Sequence, residues 1–307
     1  MTIRIGISGG GPTVDRLIDH AVRAEADGFT SLWYAGGGGV DPFVVAPLVG
    51  RATSRIEVGT SIVQTYPRHP VLMAQEATTV VRAIGDSTRF ALGIGVSHRP
   101  VIEGTYGLSY DTNARHLREY LTVLGGLLSE GRVRFRGEEY SAAADLADRP
   151  DPVLRVLVAA LAPKALASAG ELADGTITWM ANARAVENLI APRLGDAAAA
   201  AGRPAPRIVA GLPVAVTDDV DAAREVAARQ FAVYGMLPNY QRVLAAGGLS
   251  SPAEAAIVGP EDRVAEALTD LVDAGVTDVW AAPFPVGDDR RASRERTRAL
   301  LRDLVAG

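Results

Sequence analysis

The 307-residue sequence reads as a (β/α)₈ barrel, and three observations carry that reading. Short β-branched runs alternate with stretches of helical periodicity, about eight times from end to end. The runs are continuously apolar, as strands covered on both faces must be, which is the pattern of a parallel sheet. With 48% hydrophobic residues, the chain can bury one large core, and its length covers the roughly 250 residues of such a barrel plus insertions. The rival, a doubly wound open sheet, requires a Gly-x-Gly-x-x-Gly turn leading straight into a helix. Gly9-Gly10-Gly11 lacks that spacing, and Gly93-Ile94-Gly95 lacks the third glycine. A single barrel domain spanning 1–307 is therefore expected.

Each unit follows from local chemistry. Ile3 to Ile7 is the first strand, and Val14, Leu17, Ile18, Ala21 and Val22 recur at helical spacing after the glycine turn. Thr30 to Tyr34 is the second strand; Asp41-Pro42 then has the cap-plus-proline form of a helix start running to about Gly50. Ile56 to Val63 is the third strand, with a helix opened by Pro70, and Arg89 to Ile94 is the fourth. A loop, an amphipathic helix from about Asp111 to Leu128 and a small hairpin at Arg132 to Tyr140 follow. Val153 to Ala159, Gly175 to Met180 and Arg207 to Val216 are strands five to seven, with helices at Pro163 to Leu172, Ala183 to Ala201 and Asp219 to Phe231. Tyr234 to Val258 has no clear periodicity. Helix Glu261 to Asp273, strand Val276 to Ala281 and helix Ser293 to Val305 complete the eight units. The surplus residues fall after strands four and seven.

Composition narrows the function. A net charge of -5 gives no pull toward polyanions, so a small-molecule substrate is expected, with no nucleic acid and no membrane as partner. Without cysteine there is no disulfide, thiolate catalysis or Cys-ligated metal. No apolar run approaches the roughly 20 residues of a membrane span and no leader pattern precedes Ile7, so a cytoplasmic protein is expected. No histidine–carboxylate spacing resembles a metal site, and neither a Gly-x-Ser-x-Gly elbow nor a P-loop is present. His20 and His116 fall among polar helix residues and are expected at the surface.

At the strand ends the chain resembles the bacterial luciferase-like superfamily, and within it the branch using the deazaflavin coenzyme F420. The resemblance rests on Gly28-Phe29-Thr30-Ser31-Leu32-Trp33, Gly59-Thr60-Ser61-Ile62 with Arg68-His69-Pro70, and Arg89-Phe90-Ala91-Leu92-Gly93-Ile94-Gly95. Tyr106-Gly107, Tyr110-Asp111, Gly170-Glu171-Leu172-Ala173-Asp174-Gly175 and Asp273-Ala274-Gly275-Val276 extend it over nearly the whole chain. It implies a barrel with the cofactor ring at the C-terminal mouth, against a third-strand bulge whose non-prolyl cis peptide would be Ser61-Ile62. Ser8, Gly95, Val96, Ser97, His98, Ala159, Ala160, Pro163, Lys164 and Trp179 would complete the cofactor site. Backbone N–H groups of the segment Ala159 to Lys164, Pro163 excepted, would receive the phosphate where a helix begins.

His98 is the expected catalytic residue, because a histidine can exchange a proton near neutral pH; its alternative is a loop residue bonding the cofactor tail. Arg68 either meets an anionic group or, with His69 and Pro70, sets the loop. Lys164, the single lysine, either adds charge to the phosphate site or is a solvated first-turn residue. Trp179 either packs on the ring or fills the barrel. Many relatives carry an acidic residue and a histidine after strand two where this chain has Gly36-Gly37, which puts that borrowed acid–base step aside. The implied activity is hydride transfer between deazaflavin C5 and a small organic substrate, its pocket shaped by the loop from Arg99 to Gly107 and the insertion Tyr234 to Val258, with Phe231, Tyr234, Met236, Leu237 and Tyr240; the alternative for that aromatic cluster is a dimer contact. The alternatives are an FMN-dependent monooxygenase fed by a separate reductase and a non-catalytic flavin- or deazaflavin-binding barrel. A homodimer is the expected assembly.

Overall fold

Parallel strands arranged β1 (Ile5–Ser8), β2 (Ser31–Tyr34), β3 (Glu57–Thr60) with its continuation β4 (Val63–Gln64), and β5 (Phe90–Gly95) form one half of a closed sheet. The other half follows an antiparallel hairpin of β6 (Arg132–Arg136) and β7 (Ser141–Asp145): β8 (Arg155–Val158), β9 (Gly175–Trp179) and β10 (Arg207–Val216), then the short β11 (Ile257–Gly259) and β12 (Asp278–Pro283). β10 pairs with both β9 and β12, and β12 pairs with β1, so the ring of eight is complete and the open-sheet rival is excluded. This computed structural model describes residues 3–36 and 39–307.

Helices cover the barrel from outside, and several start as the sequence predicts. Helix α1 (Val14–Ala26) is capped by Thr13, and α2 (Pro42–Ala52) by the Asp41 carboxylate accepting from Phe43 N–H at 2.9 Å. α3 (Pro70–Ile84) begins with His69 Nδ1 accepting from Val71 N–H at 3.3 Å and ends at Gly85, whose φ of 86° suits glycine. Then come α4 (Arg99–Tyr106), α5 (Asn113–Glu130), α6 (Pro163–Leu172), α7 (Ala183–Ala185), α8 (Ala191–Ala200) and α9 (Val220–Gln230). The set closes with α10 (Pro238–Ala246), α11 (Pro252–Ala255), α12 (Glu261–Asp273) and α13 (Arg290–Ala306). No helix among the described residues is long and apolar enough to cross a membrane.

Four local expectations need correction. The loop expected from Arg99 is helix α4, and the aperiodic segment 234–258 holds a 3₁₀ turn, α10, α11 and β11. Those elements are too short to complete the periods that reveal a helix. The helix expected over 183–201 is interrupted by a π turn at Val186–Ile190, and the hairpin runs on to Asp145.

The barrel interior is filled from its N-terminal end. Arg207 donates to both oxygens of Glu57 at 2.8 and 2.6 Å and to both oxygens of Asp278 at 2.8 Å, while Arg4 Nε donates to Asp278 at 2.8 Å. Burial opposes ionisation of Asp278, but the bonds and charge of Arg207 prevail and hold its carboxyl below the usual range. Above this floor the guanidinium lies 5.9 Å from the Trp33 ring, and Trp33, Ala91, Leu157, Ile177, Val209 and Trp280 make an inner cluster separate from the strand–helix core. Glycines create the room for both indoles. A Cβ on Gly59 would fall 2.2 Å from Trp33, and one on Gly211 2.2 Å from Trp280.

Replacing Arg207 by Met strands two buried carboxylates. We expect a loss of about 3–5 kcal/mol in chemical denaturation; a loss below about 1 kcal/mol would show that the floor does not hold the barrel together.

Candidate active site

Above the indole layer the C-terminal mouth encloses a cavity of about 740 Å³. Its wall begins at the interruption of the third strand, where the Ser61–Ile62 peptide is cis, as the sequence resemblance implies. The loop after β5 adds Val96, Ser97 and His98, with Ser97 in the left-handed region at φ 59°. Ala159 and Leu161 come from the end of β8, and Trp179 and Trp280 from β9 and β12. This is the face on which a barrel of this kind carries its chemistry.

Ser61, Ile62, Val96, Ser97, His98, Ala159 and Trp179 are thus brought together around one space. Gly95 sits behind them; a Cβ there would come 2.9 Å from that of Ala159 and 3.3 Å from Ile62. Ser8 stands one step away, accepting a 2.9 Å bond from Trp280 Nε1. Ala160 is buried in the strand–helix core, and Pro163 and Lys164 open α6 without lining the cavity. Lys164 is exposed and has no ion pair among the described residues. The cap residue Ala162 supplies no side-chain bond, so the first-turn N–H groups of α6 are left to any anion that approaches. Gly36 lines the cavity, whereas Gly37 lies outside the described residues.

One side of the cavity is an arc of rings. Trp280 and Trp179 lie 5.0 Å apart, Trp179 and Tyr234 6.2 Å, Tyr234 and Tyr240 4.8 Å, and Tyr240 and His98 5.7 Å. Of the expected pocket-shaping residues, Tyr234 and Tyr240 line it; Phe231 packs behind Trp179, and Met236 is 72% exposed. Burial lowers the His98 pKa, so its imidazole is neutral at pH 7, and burial raises the phenol of Tyr240. Two buried polar atoms on this wall, Ser61 Oγ and Trp179 Nε1, lack a well-placed hydrogen-bond partner. The Trp179 N–H is nonetheless close enough to the Tyr234 hydroxyl to oppose the rise that burial imposes on that phenol.

Tyr106 and Asn239 fall in the two segments expected to shape the pocket, Arg99 to Gly107 and Tyr234 to Val258, whereas Gln64 carries no such expectation. Tyr106 OH donates to Gln64 Oε1 at 2.8 Å, and Gln64 Nε2 donates to Ser97 Oγ at 3.3 Å, forming a polar bar along the rim; Asn239 lines the cavity from α10. Beyond the bar lies a second cavity of about 460 Å³ containing Arg68, which is ion-paired with both Asp41 and Glu76. Arg68 is therefore committed to carboxylates, and His69 caps α3, so the structural alternatives for both residues hold.

His116 corrects an expectation. It is 4% exposed rather than on the surface, with Nε2 2.8 Å from Thr65 Oγ1, Nδ1 3.2 Å from Tyr140 OH, and its ring stacked at 3.8 Å on Tyr66. It shares a helix face with Tyr120, four residues on, and ties α5 to the residue following Gln64. Burial lowers its pKa to about 4. His20 is also not at the free surface: burial and then Arg298, 3.3 Å away, lower its pKa to about 4. No metal-ligating cluster occurs among the described residues.

A family model described as luciferase-like monooxygenase matches residues 1–278. The chain belongs to that family. The F420-dependent glucose-6-phosphate dehydrogenase of Kineococcus radiotolerans is 31% identical over 70% of this chain and 68% of its own. Among solved structures, an F420-dependent secondary alcohol dehydrogenase bound to an F420–acetone adduct superposes with a TM-score of 0.80 at 18% identity, covering 99% of each chain. An FMN-bound type II Baeyer–Villiger monooxygenase from Pseudomonas putida gives 0.76 at 17% identity, covering 100% of this chain and 98% of its own. Both structural likenesses show the same (β/α)₈ barrel fold.

His116 has a testable signature. A histidine kept neutral when folded gives an unfolded state that binds more protons between pH 6.5 and 4, so stability falls as pH falls through that window. His116→Gln should flatten the stability slope there by up to about 1.4 kcal/mol per pH unit. An unchanged slope would contradict burial of a neutral imidazole.

Proposed function

We propose that this luciferase-like protein is an F420-dependent oxidoreductase acting on a small organic substrate. The observation that carries the reading is the apolar, ring-lined cavity at the barrel mouth with the unpartnered, buried Ser61 Oγ beside the third-strand break. Its volume lies within the range of cofactor and ligand sites, and its lining has the usual mix of apolar surface and a few polar groups. A buried hydroxyl without a partner fits a ligand that offers a hydrogen-bonding edge on an otherwise flat apolar body. The F420-dependent relative supports the choice of cofactor. When bound, the deazaflavin supplies hydride chemistry at a carbon centre, which does not activate oxygen as a reduced flavin does.

The protein's own share is positioning and proton handling. Ser61, Ile62 and Ala159 would hold the ring, with the first turn of α6 toward the phosphate. The rings of Trp179, Tyr234 and Tyr240 exclude water from the reacting face. His98, neutral and packed against Tyr240, has one ring nitrogen that accepts and one N–H that donates, so it serves proton exchange with the substrate in either direction of hydride flow.

The cofactor assignment is tested by titrating the protein with F420 and with FMN while following tryptophan fluorescence. We expect saturable quenching by F420 and at least tenfold weaker binding of FMN. The reverse order would favour the monooxygenase alternative, and no quenching by either would favour the non-catalytic one. For the role of His98, His98→Ala should lower turnover by about 10²-fold or more while F420 affinity changes far less. In the direction of substrate oxidation, where His98 accepts the proton, kcat should fall on the acid side with a midpoint below pH 6.5, in keeping with the lowered pKa. Unchanged turnover in the variant, or an acid limb centred above 6.5, would remove His98 from proton transfer.

A further inference from the structure

The geometry points to an uncharged, flat, conjugated substrate for this cavity, one that carries a hydrogen-bond acceptor, with anionic and phosphorylated compounds rejected. This deepens the oxidoreductase reading and rests on it for the identity of the site. Among the described residues, no Lys, Arg, Asp or Glu side chain lines the cavity. Charged groups near the mouth are engaged away from the lining: Arg68 faces the smaller cavity and is held by Asp41 and Glu76, Arg99 is held by Glu103 and Asp111, and the exposed Arg242 donates to Asn239 Oδ1 at 3.0 Å. An anion entering beside the rings would lose its water and find no countercharge on the lining itself, which is costly.

What the wall offers instead is aromatic surface and neutral donors. Trp179, Tyr234 and Tyr240 present contiguous rings, against which a planar π-system packs with favourable offset or edge contacts. Asn239, whose Oδ1 is taken by Arg242, offers its amide N–H groups to a carbonyl or similar oxygen. Burial keeps His98 neutral as well, so it provides no fixed cation for a phosphate or carboxylate. Tyr234, Asn239 and Tyr240 come from the segment inserted after β10, which therefore sets specificity. The sugar phosphate named for the Kineococcus relative requires a cationic clamp that this wall lacks.

The experiment is equilibrium dialysis of the protein, with and without F420, against methyl cinnamate, cinnamate and glucose 6-phosphate at pH 7.5. Methyl cinnamate and cinnamate share a conjugated skeleton and differ in charge. Methyl cinnamate is expected to bind at least tenfold more tightly than cinnamate, with glucose 6-phosphate weaker still. Asn239→Lys, a half-buried helix position, should reduce the preference for the ester by at least fivefold by placing a cation at the wall. Equal or tighter binding of either anion, no binding of the ester, or an unchanged preference in Asn239→Lys would overturn the inference. Failure of the cofactor reading shows separately, as loss of F420 quenching with ester discrimination intact.

Discussion

Closure of eight parallel strands leaves an interior that must be filled, and the way this chain fills it decides where chemistry can occur. The N-terminal end is plugged by the Arg207–Glu57–Asp278 network with Arg4, and the middle by the Trp33 and Trp280 indoles. Gly59 and Gly211 make that middle layer possible, since any side chain at either position would collide with an indole. Packed density then stops at the C-terminal ends, where β3 breaks, the β5 loop turns through Ser97 and α10 closes over the mouth. The cavity is the unfilled remainder of the barrel, bounded by a rigid floor.

That arrangement couples stability to site geometry without placing catalytic duty on the core. His116 fixes Thr65 from outside the barrel, Thr65 follows Gln64, and Gln64 reaches both Tyr106 and Ser97 on the rim. A buried, fully bonded histidine therefore sits two side chains away from the loop that carries His98. The same low-polarity surroundings that keep His116 uncharged also lower the His98 pKa, so both imidazoles are neutral near pH 7.

Much of this was legible in the sequence because parallel strands leave a strong local trace. Runs such as Phe90 to Ile94 are apolar at every position and end abruptly in Gly95-Val96-Ser97, so both the strand and its functional end can be read. Family resemblance added the break at Ser61-Ile62, which hydropathy alone hides because Val63 continues the apolar run. What stayed hidden lacked a local period. Helix α10 spans nine residues between Pro238 and Gly247, and α4 eight residues before Gly107, too few turns for a face to declare itself. Asn239 and Tyr106 belong to such elements, Gln64 ends the two-residue β4, and their convergence depends on how the segments after β5 and β10 fold back over the mouth. His116 was misread because a polar side chain on an amphipathic helix ordinarily faces water; its spacing to Tyr120 was the available clue. The barrel floor was missed for the same reason, since Glu57, Arg207 and Asp278 look like solvated strand-start charges until the strands close.

The central claim is that a deazaflavin ring occupies the space between the third-strand break and the aromatic arc. The direct measurement is a crystal structure of the protein saturated with F420. The account predicts ring density in contact with Ser61, Ile62 and Ala159 and within reach of the Trp179 N–H. Density for the ring elsewhere, or a mouth left vacant at saturating cofactor, would contradict it.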